Sequence, residues 1–254
     1  MAESILIIGK SKTGSSLAEA IRAGGRYKFS GIISARSERF PVIQSDVVII
    51  ATKDDAIELV AKKALASALK PPHILVHLAG SLPPTILPER SGMDRLTLHP
   101  IQSFAKADPQ LLRGIFWMAC SKSTVAQHWA RRFVAEISGK STIPLEPEDL
   151  PLYHAMTVFS ANFITILFSA VEEISTALGQ NPKRIKTALR PLSEKALDNA
   201  LANASHSVLT GPIQRKDLKT IEKHRKALKS LDPKLREIYD AFLRYNLGHG
   251  TAKR

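Results

Sequence analysis

The sequence predicts an α/β protein, a doubly wound and mainly parallel sheet followed by an all-α second domain. Two observations carry this expectation. From Ser4 to about Leu145, short β-rich apolar runs alternate with helical patterns, which is how a parallel sheet covered on both faces is written. Beyond the proline-rich acidic segment Pro144-Leu145-Glu146-Pro147-Glu148-Asp149-Leu150-Pro151, which cannot continue a helix, only helical patterns recur. The domains are therefore drawn at 1–147 and 148–254.

The first strand, Ser4–Ile8, is an unbroken apolar run that turns at Gly9-Lys10-Ser11-Lys12-Thr13-Gly14 into a helix expected over Ser15–Ala23. A helix N-terminus in that position offers unpaired N–H groups and a positive dipole end to a pyrophosphate, as in Rossmann-like dinucleotide-binding domains. Gly9 and Gly14 stand as the first and third glycines of G-x-G-x-x-G, and Ser11 takes the place of the second. Lys10 and Lys12 add charge near the phosphates, and the whole turn from Gly9 to Gly14, Thr13 included, is assigned to cofactor binding. The second strand, Phe29–Ile33, ends in Ser34-Ala35-Arg36-Ser37, with Arg39 close behind. An acid at that tip would read a free ribose 2′-hydroxyl, whereas hydroxyls and a guanidinium fork suit a 2′-phosphate. Ser34, Arg36 and Ser37 therefore point to NADP rather than NAD.

The third strand, Asp46–Ala51, is followed by Thr52, also placed among the cofactor contacts, and by a helix expected over Asp54–Leu69 with acids in its first turn. Further strands are expected at Ile74–Leu78, Leu96–Leu98 and Ile115–Ala119, and a helix at Thr124–Ile137. In the second domain a long helix from about Leu152 to Leu178 stops at Gly179; it is apolar almost all round, so it should be buried by its own domain or by a partner subunit. Shorter helices follow after Asn181-Pro182, around Leu192–Ala202, at Asp217–Ser230 and at Pro233–Leu247.

In a doubly wound sheet the reacting end of a dinucleotide lies beyond the C-terminal ends of the strands. Hydride transfer to a carbonyl or imine carbon needs a group that gives or takes the heteroatom's proton, and histidine suits both directions near neutrality. His99, braced by Pro100 at a strand end, is the first candidate, with Ser81 able to donate to it or to the substrate oxygen. His154, at the start of the long helix, is the second, and Asn162 lies two turns on, on a neighbouring part of the same helical face. His77, inside a strand, reads as structural. Gln102, in the loop after His99, is assigned to substrate. The segment Thr210-Gly211-Pro212-Ile213-Gln214-Arg215-Lys216-Asp217 is either an anion seat with Arg215 as its fork or a capping turn with Asp217 as N-cap. No histidine has metal-ligand spacing, so no metal is expected.

Composition narrows the classes. The single cysteine, Cys120, excludes a disulfide framework, and no secretory leader is visible at Met1; a cytoplasmic protein is expected. The run Val158–Val171 is interrupted by Ser160, Asn162, Thr165 and Ser169, and reads as too short and too polar to span a bilayer. The net charge of +13 is concentrated in Arg215–Arg236, but Leu218, Ile221, Leu228 and Leu231 recur there at helical spacing, so the lysines and arginines form the solvated face of an amphipathic helix. With no zinc spacing and no aromatic interleaving, a nucleic-acid partner is not expected.

Taken together, the glycine turn, Gly80-Ser81, Leu98-His99-Pro100-Ile101-Gln102-Ser103-Phe104, Tyr153-His154-Ala155 with Asn162, and Thr210-Gly211-Pro212-Ile213-Gln214-Arg215 resemble an uncharacterised family of NADP oxidoreductases that joins a Rossmann-like domain to an all-helical domain of unknown function. The resemblance covers essentially the whole chain. More distantly the architecture is similar to ketopantoate reductase, pyrroline-5-carboxylate reductase and the β-hydroxyacid dehydrogenases, which dimerise through a helical second domain. Ser81 and His99-Pro100 also look like the serine and His-Pro of prephenate dehydrogenase, whose histidine is the catalytic hydrogen-bonding group. The lysine that the hydroxyacid dehydrogenases carry four residues before the asparagine is here Val158. The resemblance implies the fold and an NADP cofactor, and the chain is expected to be a homodimeric NADP oxidoreductase acting on a small, anionic carbonyl, hydroxy-acid or imine compound. The alternative is a non-catalytic NADP-binding sensor or scaffold that keeps the fold without turnover.

Overall fold

A computed structural model describes residues 2–204 and 207–249. The chain divides into two compact units, Met1–Ala161 and Asn162–Arg254. The first contains a seven-stranded sheet in the order β2-β1-β3-β4-β5-β6-β7. Its strands are β1 (Ser4–Ile8), β2 (Lys28–Ile33), β3 (Val47–Ile50), β4 (Ile74–His77), β5 (Asp94–Pro100), β6 (Trp117–Cys120) and β7 (Thr142–Pro144). The strands from β1 to β5 pair in parallel; β6 runs antiparallel to β5, and β7 pairs parallel to β6. The Rossmann-like α/β expectation therefore holds, with a reversed edge added.

The alternation along β1 shows how the two layers form. Ile5 and Ile7 face a core closed by Leu17 and Ile21 of α1 (Lys12–Gly24) and Trp129 and Phe133 of α3 (Thr124–Ser138). Leu6 and Ile8 face the other core, closed by Ile57, Val60 and Ala61 of α2 (Ile57–Ala66). Because side chains alternate along a strand, a run with no polar position must be covered on both sides. The strand β7, three residues ending in a proline, has no legible alternation and escapes the sequence reading; only its pairing with β6 defines it. The helix expected to begin at Asp54 opens as a 3₁₀ turn, Asp54–Ala56.

The second unit is helical as expected, with differences of detail. The long helix consists of α4 (Leu150–Thr157), which lies in the first unit, a π-helical turn (Val158–Asn162), and α5 (Phe163–Ala177). The two helices expected between Asn181 and Ala202 are one, α6 (Pro182–Ala202), which runs through Pro191. Among the described residues the short α7 (Gly211–Gln214), then α8 (Leu218–Leu231) and α9 (Pro233–His249), follow.

Two expectations about the long helix are corrected. Of the two covers expected for it, its own domain does not bury it: Leu167 and Ile164 are 38% exposed, and Ser175 is the one fully buried residue described on α5. Nor is it too short and polar to cross a bilayer by length and composition, since the continuous helical stretch Pro147–Ala177 is 31 residues long with a mean hydropathy of 1.5 in its most apolar window. The interrupting Ser160 and Ser169 return their hydroxyls to the helix backbone, at Thr157 O and Thr165 O, so they cost less apolarity than their letters suggest.

Candidate functional site

The glycine turn is fixed between the ends of two strands. Gly9 N–H donates to Ile33 O at 2.8 Å, and Ala51 N–H donates to Ile8 O at 2.8 Å. Gly9 has φ +120°, and a Cβ there would lie 2.2 Å from Ala51 O. A Cβ on Gly14 would lie 2.4 Å from Gly9 O and 2.8 Å from Ala51 Cβ. Both glycines are thus required by local packing. Ser11 needs no such freedom: at φ −64° and ψ 165° it is the N-cap of α1, and its hydroxyl accepts from Gly14 N–H at 3.0 Å. The remaining leading N–H groups of α1 have no intrahelical acceptor and present the positive end of the helix.

At the tip of β2, Ser34 organises a turn, its Oγ accepting from Arg36 N–H at 3.3 Å and its carbonyl from Ser37 N–H at 3.1 Å. Arg36 and Arg39 are exposed beside it. A third cation, which the sequence reading missed, comes from α2. Lys63 donates to Ser37 O and lies 4.6 Å from the centroid of the Phe40 ring. Its position in the middle of an ordinary amphipathic helix carries no local signal; only the packing of α2 against the β2 tip brings it there.

Ser11, Thr13, Thr52, His99 and Gln102 line one cleft of about 160 Å³ together with Asp54, Ala79, Pro100 and Phe104. The first turn of α1 and the leading histidine candidate therefore open on the same space. His99 projects from the end of β5, and its Nδ1 is 2.8 Å from the hydroxyl of Tyr153, with the two rings edge to face. The His154 ring lies 6.4 Å from that of His99, centroid to centroid. On another side Gly80 packs so closely that a Cβ would come within 2.9 Å of Cγ and Nδ1 of His99. Burial, with a smaller effect of the neighbouring His154, lowers the His99 pKa to about 4. At neutral pH the ring is uncharged. Burial raises the Tyr153 phenol to about 12, so it keeps its proton.

The other candidates stand as follows. Ser81 does not reach His99; its hydroxyl donates to Asp54 Oδ2 at 3.2 Å. The sequence reading assigned Asp54 only to a helix start, and its place in the cleft went unread. Gln102 has both ends of its amide engaged within its own loop, accepting from Ser103 N–H at 2.8 Å and donating to Leu111 O at 3.4 Å. That loop is tied to α1 by a 2.8 Å hydrogen bond from Asp108 N–H to Ser16 Oγ. Thr52 donates to Lys53 O at 3.1 Å. Lys10 and Lys12 are placed at the turn, Lys10 exposed and Lys12 the first residue of α1.

His77 is structural. Its Nδ1 accepts from Ala79 N–H at 3.3 Å, so Nε2 carries the proton and donates to Thr97 Oγ1 at 2.8 Å, which in turn donates to Leu82 O at 3.0 Å. This buried chain holds the loop that carries Gly80 and Ser81. Asn162 and Arg215 are exposed residues of the second unit. The π-helical turn between His154 and Asn162 means that the 3.6-residue spacing used to put them on one face does not apply. Asp217 caps α8, accepting from Thr220 N–H at 3.1 Å, so the capping use of that turn is realised. Among the described residues no group of three or more His, Cys, Asp or Glu side chains could hold a metal.

Similarities to solved structures extend over both units. The chain is similar to a protein of Bacteroides fragilis provisionally described as an NADP oxidoreductase, at 17% identity and a TM-score of 0.78, covering 96% of this chain and 97% of that one. It is similar at 13% identity and a TM-score of 0.60 to the Plasmodium falciparum pyrroline carboxylate reductase with NADP bound, covering 98% of each. It is also similar, at 17% identity and a TM-score of 0.63, to a semialdehyde dehydrogenase NAD-binding protein from Cupriavidus necator in complex with calcium and NAD, covering 96% of this chain and 99% of that one. At these identities the likeness establishes the fold. No curated protein matches the sequence. A family model described as a domain of unknown function, DUF2520, matches residues 116–245. That is more than half of the 254 residues, and the chain belongs to the DUF2520 family.

Proposed function

We propose that this protein is an NADP-dependent oxidoreductase acting on a small carbonyl, hydroxy-acid or imine compound. The observation that carries the reading is the shared cleft: the first turn of α1 and His99 face one space, so a phosphate-binding helix end and a proton-handling group serve one ligand. The glycine turn fits a dinucleotide, because Gly9 and Gly14 let the ends of β1 and β3 pack against the start of α1 and Ser11 and Thr13 of that turn line the cleft. Lys10, Lys12 and Thr13 would hold the phosphates, and Ser34, Arg36 and Ser37, with Lys63 behind them, a 2′-phosphate. When bound, the nicotinamide supplies or accepts a hydride. His99 handles the proton of the substrate heteroatom at its free ring nitrogen. Ser81 fixes the Asp54 carboxylate, and Asn162 and Arg215 are assigned to the substrate side, Arg215 for an anionic group.

The reading is tested by ligand-induced stabilisation, since a ligand that binds only the folded state must raise the midpoint of unfolding. NADPH should raise it more than NADH, and Arg36→Asp should remove that difference. No shift with either nucleotide would end the proposal. If NADPH binds but no member of a panel of keto acids, hydroxy acids and imines changes the reduced-nicotinamide absorbance, the non-catalytic sensor takes its place.

The proposal includes a homodimer formed through the helical unit. Apolar side chains of α5 and α9, including Leu167, Val171, Ile174 and Phe242, line an open groove of about 580 Å³. Among described residues from 162 onward only Ser175, Leu235 and Leu243 are buried. A unit with so small a core needs a further apolar surface against it, and a second copy supplies one. A buried single cysteine, Cys120, suits the cytoplasm proposed as its location.

A further inference from the structure

We propose that Tyr153 is the positioning residue for His99: its hydroxyl donates to Nδ1, which holds the imidazole as the Nε2–H tautomer and turns a hydrogen-bond donor toward the cleft. This rests on the proposed function only for its consequence; the tautomer itself is a property of the free protein.

Proton placement between the two side chains decides the tautomer. The 2.8 Å contact between Tyr153 Oη and His99 Nδ1 can be made in two ways, because either atom can be the donor. Tyr153 is 7% exposed, packed with Leu150 against Met118 and Cys120, and His99 is the partner its hydroxyl has. If Nδ1–H donated instead, the phenol proton would be left in this apolar corner without an acceptor, which is the more costly arrangement. The phenol is also far too weak an acid here to surrender that proton at neutral pH. Tyr153 is therefore the donor and Nδ1 the acceptor. The ring's other nitrogen then carries the hydrogen.

Among the described residues none hydrogen-bonds Nε2 of His99, and His99 lines the cleft, so this N–H is open to what binds there. The flipped ring orientation would turn Cδ2 toward the Tyr153 hydroxyl in place of Nδ1 and give up that hydrogen bond. The consequence is a selection among the substrate classes above. A neutral Nε2–H donor matches an acceptor, a carbonyl oxygen or the unprotonated nitrogen of an imine; an iminium, whose nitrogen already carries hydrogen, would meet it donor to donor. Reading such a site as a neutral donor rather than an imidazolium also agrees with the burial that keeps His99 uncharged.

The test is the two-bond ¹⁵N–¹H spectrum of the histidine-labelled full chain at neutral pH, with the His99 signals identified by their loss in His99→Asn. The expected result is an unprotonated Nδ1 and a protonated Nε2. Tyr153→Phe, which keeps the ring and removes only the hydroxyl, should convert this single form into a mixture of both tautomers. A protonated Nδ1 in the wild type overturns the proposal, and so does a Tyr153→Phe spectrum identical to wild type. The wild-type spectrum decides the tautomer even if the variant does not fold. Because it is recorded without nucleotide, a protein that failed to bind NADPH would sink the proposed function and leave this result standing, and the reverse also holds.

Discussion

Gly9, Gly14, His77 and His99 hold the strand ends and the cleft together. Gly14 meets Gly9 O and Ala51 Cβ at distances no side chain tolerates, both of them parts of rigid backbone or a strand end. Gly14→Ala should therefore lower the midpoint of thermal unfolding and abolish stabilisation by NADPH together, whereas a merely helix-internal glycine would gain stability on the same change. The histidines predict an acid-side weakness. His77 and His99 have folded-state pKa values lowered from 6.5 to about 4, both chiefly by burial. Above pH 6.5 neither state binds these protons and the stability is fully present. As pH falls from 6.5 toward 4 the unfolded chain takes up protons that the folded chain refuses, and stability declines by about 1.4 kcal/mol per pH unit for each histidine. Denaturant unfolding between about pH 7 and about pH 5 should show His99→Asn losing less stability than the wild type over that interval; equal losses would remove His99 from the account.

At the scale of elements, the start of α1 shows how a departure from a motif is absorbed. Ser11 occupies the middle glycine position but sits in an extended conformation open to any residue, and uses its side chain as the N-cap. Ser11→Ala should cost about 1 kcal/mol and Ser11→Gly only a few tenths, read from the denaturant midpoint. If both variants match the wild type, the cap contributes nothing. The strand ends that build the site were legible because parallel strands are written as unbroken apolar runs, and β1 is found where the pattern puts it. The missed elements share a physical cause. The strand β7 is short and ends in Pro144, so its identity comes from pairing rather than pattern. Conversely, Pro191 suggests a break in α6 that does not occur. A single proline removes one helix hydrogen bond and bends the axis, and flanking turns can carry the helix across it.

For the whole molecule the unsatisfied surface matters most. A helical unit whose described residues bury little beyond Leu235, Leu243 and Ser175, while Phe242 stays 48% exposed and Leu201 78% exposed, is predicted to pair with a second copy. Sedimentation should give a dimer at micromolar concentration, and Phe242→Asp in the apolar groove should give a monomer of lower thermal stability; a wild-type monomer, or association only with vesicles, would overturn the dimer. Sequence alone determined the succession of β1 to β6 with α1, α2 and α3, the glycine turn and the basic tip of β2, because each is encoded by neighbours in the chain: apolar period, backbone freedom, side-chain charge. It also brought His99 forward as the residue at the end of β5. Tertiary structure decided what surrounds that histidine. Gly80 and Tyr153 reach it from distant parts of the chain, Asp54 shares its cleft, and the Tyr153 hydrogen bond and burial act on its proton and charge. Hydrogen bonding and desolvation act over a few ångströms in space whatever the separation along the chain, so Ser81 finds Asp54 and Tyr153 finds His99 without any local pattern that could have announced them.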